Sequence, residues 1–185
     1  MLSPASQRLA DDHAALDDVL SRLRTALESG DVARSHAQLD LFWARLAVHI
    51  RAEHLHLFPT ILGRLTSNSA DPECSPTFSD AEAGIEQLRA DHDFFMHELA
   101  QAIGSLRDLK ATEPHAIVDG IRRVRDTVLE IEKRLIVHNE IEENQVYCWV
   151  RTILNAPDQA DLATRINAEL ANRPPRFSET IWSNR

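Results

Sequence analysis

The stretch Leu135-Ile136-Val137-His138-Asn139-Glu140-Ile141-Glu142-Glu143 places a histidine and a glutamate four residues apart. Residues four apart lie on the same face of an α-helix, about one turn from each other. An earlier stretch, Leu46-Ala47-Val48-His49-Ile50-Arg51-Ala52-Glu53, repeats the layout: a leucine, two residues, a histidine, three residues and a glutamate. Each stretch can therefore direct an imidazole and a carboxylate toward one point.

Both pairs lie on the apolar face of their predicted helix. At 100° per residue, Glu142 and Leu135 fall within about 60° of His138. The second stretch gives the same angles around His49. Because a buried carboxylate without a partner costs several kcal/mol, two of them beside histidines indicate a bound cation.

Two further histidines occupy inward positions on the remaining helices. His13 follows Leu9 by four residues, and His92 follows Leu88 by the same spacing. The chain therefore consists of two similar halves. Each half is a helix with one inward histidine, followed by a helix with the His-x-x-x-Glu pair.

Helical periodicity predicts four long helices and one shorter helix, and no stretch has the periodicity of a strand. Four long helices joined mainly by short connections predict an all-α fold, an up-down-up-down four-helix bundle with a short C-terminal helix and tail. We assign residues 1–155 to the bundle and 156–185 to a C-terminal helix and extended tail, either packed on the bundle or disordered. The predicted helices are 6–28, 31–65, 79–110, 114–154 and 157–171, and the longest loop is 66–78. Pro59 is predicted to kink the second helix or to end its regular part. Ser79 or Asp80 is predicted to cap the third.

Composition narrows the classes of function. A formal net charge of −9 over 185 residues argues against nucleic acid as a partner. No apolar run approaches the ~20 residues that cross a bilayer, and the first residues lack the apolar core of a signal peptide, so we expect a cytoplasmic protein without a membrane partner. Two cysteines are too few for a disulfide framework or a cysteine-based zinc site.

The predicted ligands contain four imidazoles and two carboxylates in one layer of the bundle. That set exceeds what one tetrahedral zinc ion uses. Two carboxylates can each bridge two metals, which leaves two histidines for each metal and at least one open position. Imidazole and carboxylate without thiolate suit iron or manganese. The candidate metal ligands are His13, His49, Glu53, His92, His138 and Glu142.

Other polar residues near these faces have several possible roles. His56 and Gln145 hold matching places in the two halves, where either can orient a ligand or a bound small molecule, and His56 as an additional ligand is an alternative. Asp17 also faces inward and is predicted to lie at the rim of the site or to support a ligand.

The remaining candidates are predicted to lie away from the metal. Asp11 and Asp12 are predicted to be solvated charges, and His54 is predicted to be a surface residue. Tyr147 and Phe58 fall opposite the metal face, where they are expected to pack against the C-terminal segment or another subunit.

Together these motifs resemble the hemerythrin-like, or HHE cation-binding, domains over roughly residues 6–155. The resemblance rests on His13, on 49–53 followed by Leu57-Phe58-Pro59, on His92 and on 138–143. It implies a non-haem di-iron centre with two iron ions (Fe2+/Fe3+) and an oxo or hydroxo bridge, for which manganese or zinc can substitute. It also implies that Glu53 and Glu142 are the bridging carboxylates and that the four histidines are terminal ligands.

One departure from the family bears on function. Animal oxygen-carrying hemerythrins have a second histidine four residues after the first in helix 3, and Met96 stands at that place here. His97 does not replace it, because it lies about 140° from the inward face. The resemblance therefore implies one iron with fewer ligands than in the oxygen carriers, closer to bacterial repair-of-iron-centres proteins and iron-sensing HHE domains.

Three functions follow as expectations. The first is binding or sensing of a small ligand, oxygen, nitric oxide or peroxide, or handling of iron. The second is a redox enzyme acting on nitric oxide or peroxide, or an iron donor that repairs damaged centres. The third is an iron-dependent interaction module that uses the C-terminal segment. The sequence leaves the choice between monomer and homodimer open.

Overall fold

The computed structural model describes residues 2–67, 75–109 and 114–174, and every regular element in these ranges is helical. Two of the helices continue into the next through a turn of π-helix, Glu53–Leu57 and Glu142–Val146. The α-helices are α1 (Pro4–Glu28), α2 (Val32–Ala52), α3 (Phe58–Ser67), α4 (Phe78–Leu109), α5 (Pro114–Ile141), α6 (Tyr147–Ile153) and α7 (Ala156–Ala171).

Side-chain caps set most of the helix starts. The side chain of Ser3 accepts a hydrogen bond from the Ser6 amide at the start of α1. Asp31 caps α2 as predicted, because its side chain accepts from the amide of Arg34. The predicted cap of α4 was wrong: the Thr77 hydroxyl accepts from the Asp80 amide, so the helix begins before Asp80.

The second predicted helix is divided before Pro59 and not at it. Hydrogen bonding changes to the π pattern after Ala52, and the amide of Phe58 donates to the carbonyl of Glu53, five residues earlier. Pro59 is then the second residue of α3, directly after the π turn, and its lack of an amide donor does not end the helix. The same change occurs in the second half, where the amide of Tyr147 donates to the carbonyl of Glu142.

The four long helices α1, α2, α4 and α5 contact one another in a ring. α1 packs on α2, α4 on α5, α2 on α4, and α1 on α5. The short helix α7 lies against α1, α2 and the first π turn. Part of the predicted 66–78 loop, residues 68–74, and the end of the predicted tail, residues 175–185, lie outside the described residues.

Two apolar clusters fill the interior, one on each side of the layer of predicted ligands. In α1, Leu9 belongs to one cluster and Leu16 to the other, with His13 between them. The sequence thus interrupts its apolar core at one level of the bundle. The same division occurs in α4, where Leu88 and Phe95 belong to different clusters on either side of His92.

Within the described residues, no helix combines the length and the apolar character that crossing a membrane requires.

Candidate metal centre

All six predicted ligands lie together in the interior of the bundle. Their ligand atoms form two groups, each with atoms within 4.8 Å of one another. The first group contains His13, His49, Glu53 and Glu142, and the second contains His92, His138 and Glu142. All six side chains are buried.

Each group is built around a pair of imidazoles. The Nε2 atoms of His13 and His49 are 3.0 Å apart, and those of His92 and His138 are also 3.0 Å apart. The histidines of each pair come from neighbouring helices, α1 with α2 and α4 with α5. The structure therefore reproduces the two halves that the sequence repeat predicts.

The two glutamates lie between the pairs. Glu53 places Oε1 3.5 Å from Nε2 of His49 and Oε2 3.4 Å from Nε2 of His92. Glu142 places Oε2 3.2 Å from Nε2 of His13 and Oε1 3.1 Å from Nε2 of His138. Each carboxylate thus presents one oxygen to each half, which is the arrangement that a bridging ligand needs.

Two buried oxygens show that this layer fits a metal centre. Glu53 Oε2 and Glu142 Oε1 are inaccessible and have no hydrogen-bond partner among the described residues. Both face the second pair of histidines: Glu53 Oε2 lies 3.4 Å from His92 Nε2 and Glu142 Oε1 lies 3.1 Å from His138 Nε2, in neither case with the geometry of a hydrogen bond. A buried carboxylate oxygen without a hydrogen bond costs about 1–3 kcal/mol, and a cation held with His92 and His138 would satisfy both atoms. Four imidazoles and two carboxylates without a thiolate suit two ions of the iron or manganese type.

An aspartate–arginine pair supports one histidine in each half. In the first half, Nδ1 of His49 donates to Asp12 Oδ2 at 3.1 Å, and Arg45 lies 3.4 Å from the other oxygen of Asp12. The prediction that Asp12 is solvated was wrong, because its place next to His13 turns it toward α2 and buries it. Hydrogen bonds of this kind fix the ring orientation and the tautomer of a metal-binding histidine.

The second half repeats this support. His138 Nδ1 donates to Asp91 Oδ2 at 3.3 Å, and Nη2 of Arg134 donates to the other oxygen of Asp91 at 2.6 Å. Sequence reasoning missed these residues, although both halves place an aspartate directly before the first histidine and an arginine four residues before the second. The repeat itself was the signal that could have found them.

The remaining histidines have unlike partners in the two halves. His13 Nδ1 donates to Glu143 Oε1 at 2.9 Å. At the matching place, Nδ1 of His92 lies 2.9 Å from Nε2 of His54. The prediction of His54 as a surface residue was wrong, since it is partly buried against His92. One half thus pairs its first histidine with a carboxylate and the other with a neutral base.

Tyr147 and Phe58 also lie at the centre, contrary to the sequence prediction. The Tyr147 hydroxyl is 3.3 Å from Nε2 of His13 and donates to Glu53 Oε1 at 3.2 Å. Phe58 stacks on His92, with ring centroids 6.2 Å apart. The predicted angles assumed 100° per residue throughout. A π turn contains one extra residue, so side chains beyond it are rotated by about 100° from that expectation.

The same rotation moves the predicted supporting residues away from the centre. Gln145 is exposed, and Nε2 of His56 lies 3.7 Å from Glu169 of α7, away from the six ligands. Neither orients a ligand in this structure. Asp17 is exposed and lines a groove that reaches His13, so it occupies the predicted rim.

Burial and the charges of neighbouring ligands shift the pKa values of the layer in opposite directions. Burial favours neutral His49, but the carboxylate of Glu53 outweighs this and raises the pKa of His49 to about 10. Burial also raises the pKa of Glu53, and repulsion from Glu142 adds to the shift. By contrast, burial lowers the pKa of His92 to about 2. Without a metal, His49 is therefore protonated, while His92 is neutral and ready to bind a metal.

A groove of about 530 Å³ between α1 and α5 leads from solvent to His13. Its charged lining residues are mainly acidic, and its one arginine, Arg24, is paired with Glu132. The carboxylates along it are Asp11, Asp17, Glu132, Glu140 and Glu143.

Comparison with known families gives one match: the model described as the hemerythrin HHE cation binding domain covers residues 5–150. Comparison with curated proteins gives no match, and comparison with solved structures gives none either. The matched range contains all six candidate ligands and both π turns. It ends before α7.

Proposed function

Because the chain belongs to the hemerythrin HHE cation-binding family, we propose that its buried His/Glu layer holds two iron ions and binds a small ligand such as oxygen, nitric oxide or peroxide. The observation that carries the proposal is the burial of two carboxylates between two imidazole pairs, with one oxygen of each carboxylate left without a hydrogen bond. Glu53 and Glu142 are the proposed bridges. Iron bound there would supply Lewis acidity, one-electron redox chemistry and positions for a small ligand.

The chain's own residues prepare the layer for that role. Asp12 and Asp91 orient His49 and His138 through their Nδ1 atoms, so that Nε2 of each ring faces the centre. Two apolar clusters enclose the layer and limit access by water. We also propose that the four long helices alternate in direction, since short connections join helices that pack on each other.

Metal analysis of the purified protein tests the ligand assignment. We expect two irons per chain in the wild type and clearly fewer in His49→Gln and His138→Gln. His97→Gln is the matched control, because His97 is exposed and its ring forms a hydrogen bond with Gln101, away from the six ligands. Two irons in all four proteins would contradict the assignment.

Rapid mixing of the reduced, iron-loaded protein with oxygen, nitric oxide and peroxide separates binding from turnover. A binding or sensing protein gives a saturable optical change with one equivalent of ligand and no further consumption. Consumption of many equivalents per chain would instead support the enzymatic alternative.

The acidic groove favours iron handling as a second candidate function. Its carboxylates lead from solvent to His13, and a cation is attracted along such a path. If the groove passes iron, Asp17→Asn with Glu140→Gln should slow iron loss to a chelator several-fold at low ionic strength. An unchanged rate would leave ligand binding as the only supported role.

A further inference from the structure

Tyr147 is the only tyrosine in the chain, and its side chain is fully buried at the centre. Its hydroxyl lies near three candidate ligand atoms of the first group. It is 3.3 Å from His13 Nε2, 3.2 Å from Glu53 Oε1 and 3.5 Å from Glu142 Oε2. The hydroxyl is almost equally distant from these three atoms, whereas a hydrogen bond to a single acceptor would bring it closest to one of them.

These separations match the spacing of neighbouring ligands on one ion. Adjacent ligands around an octahedral ion at about 2.1 Å lie about 3 Å apart. Within the first group, His13 Nε2 is 3.0 Å from His49 Nε2 and 3.2 Å from Glu142 Oε2. The Tyr147 hydroxyl thus falls in the same range as the atoms already assigned to that ion.

The matching position in the second half has no donor. Phe58 follows Glu53 by five residues, as Tyr147 follows Glu142, and both come directly after a π turn. Phe58 stacks on His92, and Tyr147 stacks on His13 with centroids 5.9 Å apart. The two halves therefore place equivalent rings over equivalent histidines, but only one ring carries an oxygen.

We propose that Tyr147 is a ligand of the ion held by His13 and His49, and that the ion held by His92 and His138 keeps the open position for a small ligand. The inference rests on the proposed di-metal function. When the oxygen–metal bond forms, the phenol O–H bond breaks and the proton is released to solvent, with no electron transfer.

The test uses the ferric, iron-loaded full chain and its visible and resonance Raman spectra. A phenolate on ferric iron gives a charge-transfer band with tyrosine ring vibrations. We expect this signal in the wild type and its complete loss in Tyr147→Phe, with two irons retained. Cys148→Ala is the control for a thiolate origin, and it should keep the signal.

Two outcomes separate this inference from the proposed function. Two irons per chain without a tyrosine signal would overturn the role of Tyr147 and leave the di-iron proposal intact. Fewer than two irons in the wild type would overturn both. Iron loading should also release one proton fewer per chain in Tyr147→Phe, and equal release would count against the ligand.

Azide titration of the ferric protein locates the open position. With Tyr147 bound, one ion is open and we expect one azide per chain. Tyr147→Phe frees a position on the other ion and should bind two. Two azides already in the wild type, or one in both proteins, would overturn the assigned asymmetry.

Discussion

Asp12 illustrates at the residue scale how a buried charge supports a ligand. It lies between Arg45 and the Nδ1 of His49, and only 3% of the residue is exposed. Asp12→Ala removes the group that fixes the His49 ring, so we expect a 10–100-fold loss of iron affinity with the fold retained. Competition with a chelator of known affinity measures it.

Asp11→Ala is the control for Asp12, because Asp11 is the adjacent carboxylate, is exposed, and accepts a hydrogen bond only from Gln7 among the described contacts. It should bind iron as the wild type does. Equal losses in both variants would show that the general negative charge of α1 matters and that the contact with His49 does not.

His49 predicts how the stability of the metal-free protein changes with pH. Its pKa is about 10 in the folded chain and about 6.5 when unfolded. The folded state therefore binds more protons between these values, and the free energy of unfolding should fall as pH rises, by up to about 1.4 kcal/mol per pH unit. Urea unfolding of chelator-treated protein at pH 7 and pH 9 measures the slope.

His49→Gln provides the comparison for this slope. The variant cannot hold the proton, so its unfolding free energy should depend less on pH in this window. A wild type whose stability increases from pH 7 to pH 9 would contradict the charge arrangement.

At the scale of the helix, the π turn at Glu142–Val146 determines which residues reach the centre. It contains one residue more than an α-helical turn, so removing one exposed residue should restore regular bonding without rotating α6. Deletion of Asn144 should therefore keep two irons and lower the unfolding free energy by less than about 2 kcal/mol. Thermal unfolding followed by circular dichroism and iron analysis test this.

Insertion of an alanine after Asn144 is the matched change of opposite sign. It turns Tyr147, Val150 and Ile153 by about 100°, away from the core in which they are buried. We expect a loss of roughly 3–5 kcal/mol and of bound iron. If deletion and insertion lowered the unfolding free energy equally, the π turn would not be the place where the helix holds its extra residue.

The π turns also explain which parts of the site could be predicted from the sequence. Periodicity placed the long helices and the His-x-x-x-Glu pairs because those pairs precede the turns, where 100° per residue holds. His56 lies within the first turn and Tyr147 directly follows the second, and their predicted directions were wrong for that reason. The prediction for Asp12 was wrong for another reason: adjacent carboxylates on one helix predict solvated charges, and only the contact between α1 and α2 buries one of them.

At the scale of the whole molecule, a polar layer interrupts the apolar core of all four long helices. The surrounding clusters should keep the metal-free chain folded, while one buried oxygen each of Glu53 and Glu142 lacks a hydrogen bond. Iron then binds the folded state alone, which stabilises it by about 2.7 kcal/mol per site at 100 times the dissociation constant. Two sites give about 5 kcal/mol in all.

That stabilisation predicts a Tm higher by roughly 10–20 °C in the iron-loaded protein than after chelation, for a chain of this size. Glu142→Gln should abolish most of the difference, because the Glu142 carboxylate belongs to both ligand groups. Glu130→Gln is its control: Glu130 lies on α5, its carboxylate is exposed, and it does not line the groove. If the wild type kept two irons yet melted at the same temperature with and without them, the binding of iron to the folded state alone would be contradicted, because a ligand that binds only the folded state raises Tm.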